Sequence, residues 1–157
     1  MTNISKPSSL GNTLFGSGTS DSYLFQAIWF VARVLVGLLM IHNGLDKLAD
    51  VSGFAEHVVA VIGLPFPVLF TYCAAYTEIV GALLLALGLL TRLSALSLVT
   101  TMIVAIYFHL KVDGLNVGPL ETASLYCLSY LLFAVNGGGL FSLDTVVNNL
   151  LGKNNNG

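Results

Sequence analysis

Charge is what this chain has least of. Of its 157 residues, 9% are Asp, Glu, Lys or Arg and 55% are hydrophobic, whereas a soluble domain carries about 25% charged residues. That scarcity excludes a water-soluble globular domain and implies an integral membrane protein with the lipid bilayer as its first partner. A net charge of −2 with no basic patch excludes nucleic acid as a partner. The two cysteines, Cys73 and Cys127, are too few for a disulfide framework and have no zinc-ligand spacing, so no metal site is expected. GxSxG, GxGxxG, P-loop and CxxC motifs are all missing, which removes the usual signs of nucleotide or flavin chemistry. The opening 22 residues lack the cationic start and short apolar core of a cleavable signal, so the first hydrophobic run is expected to stay in the membrane.

What is present is a series of long apolar runs. A spanning helix needs ~20 apolar residues to cross a ~30 Å hydrocarbon core. Residues 23–45 and 68–90 reach that length, and 93–110 is free of charge until His109. The fourth run, 120–135, spans only if 137–141 continues it or the bilayer thins. The expected fold is all-α: a four-helix membrane bundle over 23–151, flanked by disordered polar stretches at 1–22 and 152–157. Four spans put both ends on one side. Lys6, Arg92 and Lys153 there, against Lys47 and Lys111 opposite, favour cytoplasmic termini. Two short amphipathic segments are expected at the interface. One is 141–151, with Ser142 as N-cap, Asp144 in the first turn, and Leu143, Val146, Val147, Leu150 and Leu151 on one face. The other is 52–62, with Phe54, Val58, Val61 and Ile62 on its apolar side, stopped by Gly63, Pro65 and Pro67.

Two charges interrupt the first two runs. Arg33 lies within 23–45 and Glu78 within 68–90. A charge near a bilayer centre costs ~2.5–3.5 kcal/mol on insertion scales, so such residues usually face a bundle interior. At 100° per residue, Arg33, Gly37, Gly44 and Lys47 share one stripe of the first helix. On the second, Glu78 shares a row with Ala74 and Ala82, with Gly81 alongside. Gly37, Gly44, Ala74, Gly81 and Ala82 are the small residues through which membrane helices pack closely. Both charges lie ten residues into runs of opposite direction, so they are expected at mid-depth, touching directly or through one polar group. Such a pair suits a purely structural ion pair as well as the lining of a ligand or proton path. Asn43 is better placed than His42 to reach the interior. His42, Glu56, His57, His109, Lys111, Asp113 and Glu121 gather toward the non-terminal side without a recognised metal-ligand spacing. His109 and Glu121 are the strongest functional candidates among them. The candidate ligand pocket is therefore Arg33, Asn43, Lys47, Glu78, His109 and Glu121, with no catalytic residue assigned. Cys73 and Cys127 fall at equal depth, which would allow a thiol pair, although buried cysteine more often serves as small apolar filling.

The order of several motifs adds a resemblance. Arg33-Val-Leu-Val-Gly37, Asn43-Gly44-Leu45-Asp46-Lys47-Leu48 and Gly63-Leu-Pro65 come first. Glu78-Ile-Val-Gly81, Gly88-Leu-Leu-Thr91-Arg92, His109, Glu121 and Gly137-Gly-Gly139-Leu-Phe-Ser142-Leu-Asp144 follow. Together they resemble the DoxX family of small bacterial membrane proteins, over roughly residues 33–144. The resemblance implies a four-helix bundle in the bacterial inner membrane. It also implies an accessory membrane subunit of a quinone-linked oxidoreductase, with a quinone as substrate and other redox proteins as partners. The competing expectation is a non-enzymatic module, either a small-molecule transporter or a partner-binding scaffold.

Overall fold

A computed structural model describes residues 17–20 and 22–154. In chain order its elements are α1 (Tyr23–Ala49), α2 (Val51–Phe54), a π-helical turn (Ala55–Val59), α3 (Pro67–Leu87), α4 (Thr91–Val112), α5 (Val117–Asn136) and α6 (Leu143–Asn154). No strand occurs among the described residues, and α1, α3, α4 and α5 are each long and apolar enough to cross a membrane. The fourth span gains its length at the start, through Val117, rather than through 137–141. Gly137 ends it with φ +79°.

The helix ends follow from local chemistry. Pro67 opens α3, where its missing N–H is no loss and its φ is already helical. Gly88, at φ +70°, closes α3 in the left-handed conformation that glycine adopts freely. A Cβ there would also lie 2.6 Å from Arg33 Nη1. The next helix has no local cap, because Leu90 precedes it at φ +49° and carries no acceptor. The cap comes from far along the chain: Asp144 accepts from the backbone N–H groups of Leu90 (2.6 Å) and Thr91 (2.8 Å). Ser142 caps α6 as expected, accepting from the Thr145 N–H at 3.3 Å. Asp50 performs the same service for α2, accepting from Gly53 at 2.9 Å.

α1 packs tightly and antiparallel on α3, and α4 packs on α5, while α1 and α5 hardly touch. The α1–α3 seam depends on absent side chains. A Cβ on Gly37 would lie 2.8 Å from the Ala82 carbonyl oxygen, and one on Gly44 would lie 2.6 Å from Ile79 Cγ1. Gly81 faces α4 instead, near Leu98 and Ser97. Met40, Leu85, Leu98, Met102, Tyr130 and Phe133 form the core between the two helix pairs.

With Gly37 beside Ala82, the first turns of α1 extend beyond the end of α3. That overhang is held by the turn after α5. Trp29 Nε1 donates to the Gly137 carbonyl (3.1 Å), and Gln26 Oε1 accepts from the Leu140 N–H (2.7 Å). Gln26 Nε2 reaches back to Thr19 Oγ1 and the Ser20 carbonyl, both at 2.6 Å, and the Gly18 N–H donates to Asn136 O (2.9 Å). The entry to α1 and the exit of α5 therefore share one end of the bundle. These contacts order part of a stretch expected to be disordered, and α6 continues past residue 151 to Asn154. The remainder of both polar flanks lies outside the described residues. Leu35, Leu38, Val80, Leu93 and Leu128 are exposed along the spanning helices, forming an apolar coat suited to lipid.

Candidate functional site: a polar pair in the wall of an apolar cavity

Arg33 has no exposed surface. Its Nη1 donates to the carbonyls of Leu85 (2.6 Å) and Ala86 (2.7 Å), and its Nη2 donates to that of Phe141 (2.7 Å). Leu85 and Ala86 stand in the last turn of α3, where carbonyls run short of intrahelical partners and carry the negative end of the helix dipole; the Leu85 carbonyl also accepts from the Gly88 N–H at 3.0 Å. Arg33 thus closes the end of α3 while Asp144, which interacts with it electrostatically, closes the start of α4. Both belong to one structural knot at the terminal end of the bundle.

The expected Arg33–Glu78 contact is not formed. Glu78, 2% exposed, is paired with Lys47 instead, Nζ to Oε2 at 2.7 Å. The reason is register. Counting into each run assumed that the two began at matching depths, yet α1 overhangs α3 by more than two turns. Arg33 consequently meets Leu85 and Ala86, roughly 11 Å along α3 from Glu78 at ~1.5 Å per residue. Lys47, four turns further along α1, arrives beside the carboxylate. Lys47 also donates to the Asn43 carbonyl (3.3 Å), and its ammonium lies 5.0 Å from the centroid of the Phe54 ring.

This pair stands in the wall of a cavity of about 650 Å³, within the size range of small-molecule sites. The cavity lies among α1, α3, α4 and α5 at the end away from the knot. Asn43, Lys47, Glu78 and His109 line it; Arg33 does not. Glu121 is exposed and also lies outside the lining. Ala74 faces the cavity rather than a helix seam. Phe54 of α2, Val58 and Val59 of the π-helical turn, and Ile62 and Leu64 of the connection to α3 cover one side. Lys111 fastens that cover by donating to the Val61 carbonyl at 2.8 Å. π-helical turns are rare and often accompany functional sites. His109 stands at the edge with Nδ1 3.0 Å from Asp113 Oδ2, while His42 is exposed beside Asp46 at 3.4 Å. Among the described residues, no three His, Cys, Asp or Glu side chains gather as metal ligands. Cys73 lines the cavity and Cys127 is buried in the core; both are free thiols.

Several contributors were not singled out from the sequence. Thr77, Thr100, Thr101 and Tyr126 add hydroxyls to the wall. Their signal is polarity retained in mid-run, which is costly in a membrane. The resulting chamber is mostly apolar and contains one ammonium beside one carboxylate. Because the two charges cancel, it suits an uncharged molecule with apolar bulk and oxygen functions. A carbonyl could accept from Lys47 and a hydroxyl could donate to Glu78.

Fold and site together define a small multi-pass membrane protein with an intramembrane polar pair. The chain belongs to the DoxX family, whose model matches residues 28–110. It is 33% identical over 122 residues to the inner membrane protein YphA of Escherichia coli, covering 73% of this chain and 86% of that protein. It is 30% identical over 122 residues to the inner membrane protein YqjF of the same organism, covering 75% and 90%. A third relative, from Bacillus subtilis, bears the name "Putative oxidoreductase CatD" and is 29% identical over 123 residues, covering 78% and 89%. No solved structure matches the chain. The family match contains Arg33, Lys47, Glu78 and His109, whereas Tyr126, Tyr130 and Asp144 lie beyond it.

Proposed function

We propose that this protein is a membrane subunit of a quinone-linked redox system and that its cavity holds the quinone head group beside Lys47 and Glu78. The observation that carries the reading is the ion pair itself, set in an otherwise apolar wall. Desolvating two charges can cost more than their attraction returns, and well-packed apolar residues often replace a buried pair without loss of stability. A pair that faces a ligand-sized cavity has a use that packing alone does not supply. The oxidoreductase name of the Bacillus subtilis relative supports the same direction. The apolar cover accommodates the isoprenoid side of such a molecule, the ammonium donates to a ring oxygen, and the carboxylate accepts from the hydroxyl of the reduced form.

Cys73 provides a native reporter, since it lines the cavity while Cys127 is buried. In detergent-solubilised protein, a membrane-permeant maleimide is expected to label Cys73 and spare Cys127. Saturating ubiquinone-1 is expected to slow labelling of Cys73 about tenfold, corresponding to occupancy near 90%. A labelling rate unchanged by ubiquinone-1 would remove the quinone reading.

A further inference from the structure

Tyr130 is completely buried, and its hydroxyl has no hydrogen-bond partner among the described residues. Buried polar groups are nearly always satisfied, so an orphaned phenol calls for an explanation. Its position supplies one. The chain reverses at residues 88–90 and again at 113–116, which brings Glu78, Thr100 and Tyr130 to about the same depth in successive helices. Tyr130 lies in electrostatic range of Glu78 and is stacked on Tyr126, with ring centroids 5.9 Å apart. Tyr126 faces the cavity, and Met40 and Met102 belong both to the cavity lining and to the core cluster that contains Tyr130. The phenol therefore sits just behind the cavity wall, at the depth of Glu78 and behind unbranched Met side chains that can adopt other rotamers.

We propose that Tyr130 is the second arm of a head-group subsite, in which one oxygen of a bound hydroquinone is held between the Tyr130 hydroxyl and the Glu78 carboxylate, and the corresponding quinone carbonyl between the Tyr130 hydroxyl and the Lys47 ammonium. This rests on the quinone reading and deepens it by fixing which end of the cavity takes the ring. The Tyr130 hydroxyl donates to the ligand oxygen in either form, while a hydroquinone spends its own O–H on the Glu78 carboxylate. Glu78, already bonded to Lys47 through one oxygen, has no partner on the other among the described residues. The oxygen function thus lies deep, near the middle of the bundle, and the lipophilic tail points toward the cover formed by Phe54, Val58 and Ile62.

Tyr130→Phe separates this role from a structural one by sign. Removing a hydroxyl that lacks a partner leaves the thermal midpoint of the ligand-free protein unchanged or slightly higher. Loss of one ligand hydrogen bond weakens ubiquinone-1 binding about tenfold, read as a tenfold higher concentration for half-maximal protection of Cys73. A lowered midpoint with unaltered binding would show that the hydroxyl has a structural partner and would overturn the proposal. So would wild-type affinity in Tyr130→Phe when Lys47→Met/Glu78→Leu has lost binding, a result that leaves the quinone reading standing. Failure of the wild-type protein to bind ubiquinone-1 overturns both.

Discussion

Arg33→Met is expected to destabilise the fold by roughly 3–5 kcal/mol, the scale seen when one partner of a buried charged contact is removed. The guanidinium serves three carbonyls at 2.6–2.7 Å, two at the end of α3 and one in the turn before α6. Methionine fills much of the volume but removes the donors to the Ala86 and Phe141 carbonyls, leaving Leu85 only its Gly88 N–H, and Asp144 loses its nearby cation. Arg33→Lys should fall between the two, because a single ammonium cannot reproduce a planar fork. The informative comparison is with Glu78→Leu. Glu78 shares no partner with Arg33 and lies more than a turn away, so the two losses should add to within ~0.5 kcal/mol. Thermal unfolding of single and double variants in one detergent measures this. Rescue of Arg33→Met by Glu78→Leu would mean that the charges do pair. Any Arg33 variant that remains folded should still bind ubiquinone-1, since Arg33 is absent from the cavity wall.

The second large effect concerns Lys47. Lys47→Met strands the Glu78 carboxylate, 2% exposed and with no other cation bonded to it among the described residues. A loss of ~3–5 kcal/mol is again expected. Glu78→Leu alone should cost less, about 1–2 kcal/mol, because the long Lys47 stem can carry its ammonium toward the aqueous end of α1. Joining the two in Lys47→Met/Glu78→Leu should recover most of the stability while abolishing quinone protection of Cys73. Stability and binding would then move in opposite directions, which separates a ligand site from a structural pair. A double variant as unstable as Lys47→Met would contradict the pairing. One that still protects Cys73 would contradict the site.

Much of this fold is legible in the sequence because membrane helices announce themselves by length and polarity. The four runs, the close-packed Gly37 and Gly44, the Ser142 cap and the gathering of Lys47, Asn43 and His109 near one exit all follow from spacing. The pairing of charges did not, for a definite reason. Face angles fix which residues share a stripe, but depth depends on where each helix begins relative to its neighbour. Nothing in the run 23–45 reveals that its first turns project past α3 to meet residues 137–142. Asp144 shows the same limit. Its place in the first turn of α6 suggests local use, whereas its carboxylate caps α4 across more than fifty residues. Tyr130 lacked a signal of its own, since an aromatic in an apolar run reads as core until its hydroxyl is found without a partner.

If an oxygen-bearing lipophilic molecule occupies the cavity between the two helix pairs, a photoreactive quinone should mark the cavity wall. The measurement is photolabelling with an azido-benzoquinone, followed by mass spectrometry of the modified peptides. Label is expected on cavity-facing positions of different helices, such as Thr77, Met102 and Tyr126, and should be lost in Lys47→Met/Glu78→Leu. Label concentrated near Arg33 and Phe141, or scattered over lipid-facing positions such as Leu35 and Leu93 and unaffected by the double substitution, would contradict that occupancy.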